Sequence, residues 1–535
     1  MRISGVGRGA RPGSAAEDGR PGAAEDGRTT GTENGRTGAA EDRRTGAAED
    51  GPAAAAGEVT RSGPLPGGEG AVYDVVVVGA GVVGAAIARA LARHPLRIAL
   101  VEAANDVGDG TSKANTAILH TGFDAVPGSL EARLVREGHR LLTAYAREAG
   151  VPVEPLGALL VARDETQRAA LPRLAEKAVR NGLHTTRIID AIELAAREPH
   201  LDPGALAALD VPGESIVCPW TTVLAYATQA VRSGVDLHLN CRVEEVRPGD
   251  PHHRLATRRG TLRTRHLVNA CGLYADAFDA LVGREDFTVT PRRGQLLVFD
   301  KAARALVRHI LLPVPGPLGK GVLVSPTVYG NVMLGPTAED LDDKTATGTT
   351  AEGIAGLREQ GGRVLPALLD EEVTAVYAGL RAATGQEDYR IAAHPALRYV
   401  TAGGIRSTGL SASLAIAEHV LGLLADCGLD PGPERPLAPV RMPNLGEAFP
   451  RPYRDAGLIA REPEFGAIVC HCERVTRGEI RAALASTIPP GGLDGLRRRT
   501  RARGGRCQGT FCGAEVRALF EEPGSPAEKD GGGGR

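Results

Sequence analysis

The chain has 535 residues and a formal net charge of −2. That length allows two or three domains around a large core, and the near-balance of charge excludes a global field drawing the protein toward nucleic acid or an anionic membrane. Aromatic residues make up only 3% of the chain, so Ala, Val, Leu and Ile must build the core.

Residues 1–70 come first and are dominated by Gly, Ala, Glu, Asp, Arg and Thr, with GSAAEDGR, GAAEDGR, GAAEDRR and GAAEDG recurring between Gly13 and Gly51. A segment with almost no large apolar residues cannot offset its own ordering entropy, so it is expected to be a disordered low-complexity tail. It contains no apolar core of a secretory signal. The longest apolar run, Val75 to Ala88, is 14 residues, too short to span a bilayer. A cytoplasmic location without a transmembrane segment follows as the expectation, with peripheral contact at the inner face of a membrane left open.

From Tyr73 the texture changes. YDVVVVGAGVVGAAIARALA reads as a buried strand, a glycine turn and a helix. RIALVEA, Arg97 to Ala103, is the next strand, and Ala158–Ala162, Arg265–Ala270 and Gln295–Phe299 are further short strands among charged helical segments. This alternation predicts an α/β core with inserted α+β strands. ALRYVTAGG then runs into a helix carrying Leu410, Leu414, Ala417, Leu421 and Leu424 at helical spacing. A Pro-rich linker (429–464), a small cysteine module (465–520) and a Gly-rich disordered tail (521–535) complete the chain.

The strand Val75–Val78 leads directly into GAGVVG, Gly79 to Gly84. Gly79 permits the tight turn, Gly81 lets the backbone approach a pyrophosphate, and Gly84 lets the helix pack on the strand. Glu102 ends the second strand 23 residues beyond Gly79, where an acid accepts hydrogen bonds from an adenosine ribose. Strand, turn, helix and acid together point to a dinucleotide, without choosing between NAD and FAD.

The choice comes from later segments. GTSKAN (Gly110 to Asn115), VNACG (Val268 to Gly272), PRRGQ (Pro291 to Gln295) and GGIRSTG (Gly403 to Gly409) occur in an order that resembles the D-amino-acid-oxidase-like superfamily of FAD-dependent oxidoreductases. The stretch SKANTAILHTGFDAVPGSLEARLVREG, Ser112 to Gly138, with GNVMLGPTAED, Gly330 to Asp340, resembles its glycerol-3-phosphate and L-2-hydroxyglutarate dehydrogenase branch. The resemblance implies a Rossmann-like FAD-binding domain (71–155, 205–295, 375–428) interleaved with a mixed-sheet substrate domain (156–204, 296–374). It implies FAD contacts from Gly79, Gly81, Gly84, Glu102, Thr111, Ser112, Lys113, Asn115, Val243, Ala270, Gly272, Gly404, Ser407 and Thr408. Lys113 could neutralise phosphate or flavin charge.

Oxidation of an alcohol needs a hydride acceptor, a base for the hydroxyl proton and a cation for an anionic substrate. His120, in ILHTG, stands where the resemblance places a histidine beside the flavin; it is either that base or a hydrogen-bonding group for the FAD loop. Arg381, in AGLRAATG, aligns with an arginine that clamps substrate carboxylate or phosphate, although Ala382 replaces the usual following proline; a solvated ion pair is its other reading. Arg406 is the second anion candidate. The expected reaction is oxidation of glycerol 3-phosphate or a 2-hydroxy acid such as L-2-hydroxyglutarate. The rivals are an amine or amino-acid dehydrogenase and a non-catalytic electron-transfer or redox-regulatory subunit.

Of eight cysteines, Cys218, Cys241, Cys271 and Cys427 are scattered, while Cys470/Cys472 and Cys507/Cys512 form C-x-C, 34 residues, then C-x4-C. Clustering of this kind favours metal or cluster binding over disulfides. Four thiolates can hold a [2Fe–2S] cluster, two per iron; structural zinc is the alternative. The segment resembles the bacterioferritin-associated-ferredoxin type of [2Fe–2S] domain, which implies an electron-acceptor protein or quinone as partner. The basic run RRRTRAR, Arg497 to Arg503, is expected to offset cluster charge or steer an acidic partner, and no nucleic acid is expected, because no aromatic platform accompanies it.

Overall fold

The computed structural model describes residues 55–65, 72–315 and 321–522. The repeats ahead of residue 55 and the Gly-rich end beyond residue 522 lie outside the described residues.

Val72–Val78 is the centre of a mixed sheet, and Val75, Val76 and Val77 have no solvent exposure. A strand covered on both faces is expected to read as such an apolar run. Ile98–Val101 and Gly260–Asn269 flank it in parallel. Asp236–His238 and Tyr399–Gly403 continue the parallel order on either side, and Val243–Arg247 with His253–Thr257 adds an antiparallel extension.

One face of this sheet is covered by Val82–Leu91, packed against Pro219–Arg232 and Gly409–Asp426, with Leu130–Ala149 beyond. Gly409–Asp426 is the one helix among the described residues long and apolar enough to cross a membrane, with mean hydropathy 1.2; half of it is buried inside the protein. Leu414, Ala417 and Leu424 of the expected stripe are buried there. Gly138 permits the crossing with Leu130–Ala149, since a Cβ at this position would stand 2.3 Å from the Ser411 carbonyl oxygen.

The second nine-stranded sheet is mixed, and Thr290–Phe299 pairs along its length with Val373–Ala383. Ala158–Ala162 joins the sheet in parallel to Ile310–Pro313 and antiparallel to Ala207–Val211. A separate core of Leu159, Phe299, Val324, Leu334, Leu357 and neighbours lies on this sheet. The chain thus visits the two sheets alternately, as the resemblance implied.

Three expectations need correction. The tail was bounded at residue 70, yet Val59–Thr60 pairs in parallel with Leu237 and His238 at the edge of the first sheet. Backbone ladder bonds, with Arg259 reaching the carbonyls of Thr60, Ser62 and Gly63, order this segment without needing large side chains. Ala207–Val211, the start of Thr290–Phe299 and most of Val373–Ala383 were assigned to the FAD-binding domain but belong to the second sheet. Alternation identifies a strand but not the sheet it joins. Residues 429–464 are less a linker than a strap: the amides of Arg435, Met442 and Glu447 donate to the carbonyls of Arg93, Ala149 and Val328.

A third, three-stranded sheet is small but decisive. Ile118–Leu119 pairs antiparallel with Ser215–Val217, which also pairs with Val153–Glu154. The register Leu119↔Ser215 sets the next residues outward, His120 and Glu214, opposite one another.

Candidate active site and cysteine centre

At the end of Val72–Val78 the chain turns through Gly79 at φ +103°. A Cβ on Gly79 would lie 2.4 Å from the Ala270 carbonyl oxygen, and one on Gly84 only 1.8 Å from the Gly79 carbonyl oxygen. These two glycines are therefore required by packing alone. Gly81 differs, because its open side meets nothing closer than Ser112 Oγ at 3.3 Å. Here, at the N-terminus of Val82–Leu91, an anion can approach. The Val82 amide donates to Ser112 Oγ at 3.0 Å.

Glu102 follows the next strand, and its carboxylate accepts from the Ala80 amide at 2.7 Å and the Ala104 amide at 2.9 Å. Burial pushes its carboxyl up despite those bonds. The Cys241 amide donates to the Glu102 carbonyl, which brings Val243 to the same corner. Ala270 is tied to Val78 by its amide, and Gly272 turns at φ +57°. The expected residues from four separate segments thus meet at the carboxyl ends of the parallel strands, the usual place for a ligand in such sheets.

Thr111–Lys113 forms a single helical turn held from the second sheet: Thr111 Oγ1 donates to the Leu380 carbonyl at 2.9 Å. A Cβ at Gly379 would stand 2.0 Å from the Ala114 carbonyl oxygen, so the loop and Val373–Ala383 are in close backbone contact. Asn115 orders the loop, donating to the Ser112 carbonyl and accepting from the Ala117 amide. Lys113 Nζ donates to Asp109 at 2.9 Å. Gly404 turns at φ +62°, Ser407 is exposed, and Thr408 Oγ1 donates to Glu131 at 2.6 Å. Arg406 also serves Glu131, at 3.2 Å, and the Glu387 carbonyl. Its charge faces the Glu131 carboxylate in this structure.

His120 and Glu214 form a part-buried polar pair. Glu214 is fully buried and accepts from His120 Nδ1 at 3.0 Å, and from the Thr121 amide and hydroxyl at 2.7 Å each. An ionised carboxylate can only accept, so in the neutral ring this bond puts the proton on Nδ1 and the lone pair on Nε2. Arg381 donates to the Thr337 carbonyl at 3.0 Å, and its Nε has no partner among the described residues. Burial, with Arg292 alongside, pushes its guanidinium down to about 10. It stays charged at neutral pH and, among the described residues, has no carboxylate within ion-pair distance, Asp340 acting on it only from further away, so it can still take an anion.

In the cysteine module, Cys472 lies within hydrogen-bonding reach of Cys507, and Cys512 of Cys470. Among the described residues no group of three or more His, Cys, Asp or Glu is set to hold a single ion, and the charges of the four cysteines act across both contacts. Backbone hydrogen bonds from Phe511, then Gly509 and Thr510, hold the Cys507 thiol below its usual range. Burial and the nearby Cys470 push Cys512 up to about 11, a penalty relieved when a metal withdraws thiolate charge. Gly505 is needed because a Cβ there would come within 2.4 Å of the Cys472 Cβ. This donor set fits a binuclear cluster.

The basic run is not a solvated patch. Arg498, Arg499 and Arg501 are buried. The first two bind Asp106 of the FAD-binding domain, and Arg501 binds Glu473. Three of the five charges in the run are thus paired within the protein, while Arg497 stays half-exposed. Sequence reasoning missed Glu214, Asp106, Trp220 and Tyr329, since no local pattern marks partners so distant in the chain.

Fold and site together define a flavin-dependent oxidoreductase with an appended iron–sulfur module. Residues 74–423 match the FAD-dependent oxidoreductase family, to which the chain belongs, and residues 468–522 match the BFD-like [2Fe–2S] binding domain. The chain is 36% identical over 448 residues to a glycerol 3-phosphate dehydrogenase of Caloramator mitchellensis, covering 83% of this chain and 93% of that one. It is 30% identical over 272 residues to an L-2-hydroxyglutarate dehydrogenase of Indibacter alkaliphilus, covering 50% of this chain and 68% of that one. The FAD-bound L-α-glycerophosphate oxidase of Mycoplasma pneumoniae superposes with a TM-score of 0.64 at 29% identity, covering 70% of this chain and 98% of that one.

Proposed function

We propose that the protein oxidises glycerol 3-phosphate at its secondary alcohol, and that electrons leave through the [2Fe–2S] cluster. The observation that carries this reading is the 448-residue likeness to a glycerol 3-phosphate dehydrogenase, which extends beyond the 74–423 segment common to the family. When bound, the isoalloxazine supplies the hydride acceptor. Arg381 binds the substrate phosphate with the N–H groups left over from Thr337 and holds the carbinol in place. His120 Nε2 accepts the hydroxyl proton, and Glu214 stabilises the imidazolium that results. Loss of that proton and of the carbinol hydride leaves a ketone, so atoms and charge balance. The one-electron capacity of the cluster favours an acceptor protein or a quinone over direct reaction with dioxygen.

The second reading, a 2-hydroxy acid, is favoured by the L-2-hydroxyglutarate relatives; Arg381 suits a carboxylate as well as a phosphate. Anaerobic mixing with each compound decides between them. Glycerol 3-phosphate is expected to bleach the flavin band, and bleaching by L-2-hydroxyglutarate or an amino acid alone would overturn the proposal.

A further inference from the structure

The loop 106–113 links the dinucleotide corner to the Thr111–Lys113 turn, and the cysteine module grips it at both ends. At the first end Asp106, fully buried, receives Arg499 Nη1 at 2.6 Å and Nη2 at 2.7 Å, and Arg498 Nη2 at 3.2 Å. Arg498 Nη1 also stands 2.9 Å from Asp109. There is no room for side chains here: a Cβ at Gly495 would lie 2.2 Å from the Asp106 Oδ2, and one at Gly491 2.1 Å from the Asn105 carbonyl oxygen.

At the second end the Lys113 carbonyl accepts from Trp220 Nε1 at 3.0 Å. Trp220 stacks on Tyr329 at 5.0 Å, and the Arg501 guanidinium lies 4.3 Å over the Tyr329 ring. Arg501 in turn donates to Glu473 at 3.1 and 3.2 Å, next to Cys472. All three arginines belong to one segment: Leu493–Thr500 is a helix capped by Arg501 in the left-handed region, and Cys507 follows six residues later. The element that holds the loop therefore runs straight into the cluster ligands.

We propose that Arg498 and Arg499 are positioning residues for the flavin cofactor, acting through Asp106 and Asp109, so that cluster assembly and FAD retention are thermodynamically linked. The proposal rests on Thr111–Asn115 being the FAD loop, and is independent of the substrate. A loop released at Asp106 must be ordered at the expense of FAD binding. Because binding linkage is reciprocal, FAD must protect the cluster by the same factor by which the cluster strengthens FAD.

The test uses the full chain, stripped of FAD, with FAD affinity read from flavin fluorescence quenching. Chelation of the cluster from the unmodified protein is expected to weaken FAD binding by about tenfold or more, and Arg499→Ala to do the same. Arg497→Ala, a half-exposed neighbour paired with Asp494, should leave FAD affinity within about twofold. Added FAD should slow loss of the cluster absorbance to chelator in the unmodified protein and fail to do so in Arg499→Ala. Equal FAD affinity with and without the cluster, or protection that survives in Arg499→Ala, overturns the linkage. The chelation arm needs no variant and stands if Arg499→Ala fails to fold. Ser112→Phe, which fills the helix N-terminus, should lose FAD regardless of the cluster; normal FAD binding by it removes the loop assignment itself, and the proposal with it.

Discussion

Replacing Glu214 with Gln separates positioning of His120 from mere packing around it. The amide keeps the carboxylate's shape, and its oxygen can still accept from the Thr121 amide and hydroxyl, both at 2.7 Å. Those two donors forbid the flipped orientation, so the NH2 group faces His120 Nδ1 across 3.0 Å. An NH2 can only donate, which forces the ring proton onto Nε2 and removes the lone pair that accepts the substrate proton. A positioned base contributes about 10²–10⁴ in rate, equivalent to roughly 2.7–5.4 kcal/mol of barrier at 1.36 kcal/mol per decade. The cost to folding is one charge-assisted bond of three, about 1.5–3 kcal/mol, so the protein should stay folded and yellow. Stopped-flow reduction of the flavin by saturating glycerol 3-phosphate under anaerobic conditions measures the effect. A rate for Glu214→Gln within about threefold of the parent, less than about 1 kcal/mol of barrier, would refute the assignment of His120 as the base.

Arg381→Met should raise KM for glycerol 3-phosphate by about 10–100-fold, the value of one charge-assisted contact of about 1.5–3 kcal/mol; a fall in kcat with unchanged KM in steady-state assays would contradict a phosphate contact. Gly84→Val places a branched side chain where a Cβ already meets the Gly79 carbonyl oxygen at 1.8 Å; purified protein should be colourless and melt lower than the parent. Cys507→Ser should lose the cluster, read as a fall from about two iron and two sulfide per chain, and zinc in the parent protein would contradict the binuclear assignment. Burial alone would raise the Asp106 carboxyl, but Arg499 and Arg498 outweigh it and hold the group low. A carboxyl depressed by folding stabilises above its ordinary value of about 3.9, and that contribution is lost as pH falls through the folded value. The gap in thermal midpoint between the parent and Asp106→Asn should therefore be full at neutral pH and narrow below about pH 4.

The sequence was legible wherever the cause of structure is local. The valine run before Gly79, the glycine spacing and the apolar stripe of Gly409–Asp426 each follow from neighbours a few residues away, and each stands where expected. The corner where the strand ends converge was legible because the family resemblance supplies their order. Glu214 was not, since only the pairing of Leu119 with Ser215 brings it to His120. Nor was Asp106, whose partners lie 392 and 393 residues away. The arginine run shows the same limit from the other side: its spacing suggested a role beside the cluster, while Asp106, the buried carboxylate that holds Arg498 and Arg499, leaves no mark nearby. The acidic partners of Arg406 and Lys113 are likewise settled by folding rather than by spacing.

The short Val59–Thr60 strand has a practical meaning for anyone trimming the protein. Composition invites a cut just before Tyr73, yet the discarded piece seals the outer rim of the Asp236–His238 strand, and its Arg61 bonds to the Pro489 carbonyl. Removing it would bare a row of unsatisfied amides and carbonyls, the kind of surface on which chains stick to one another. A truncation ahead of residue 55 keeps that rim closed.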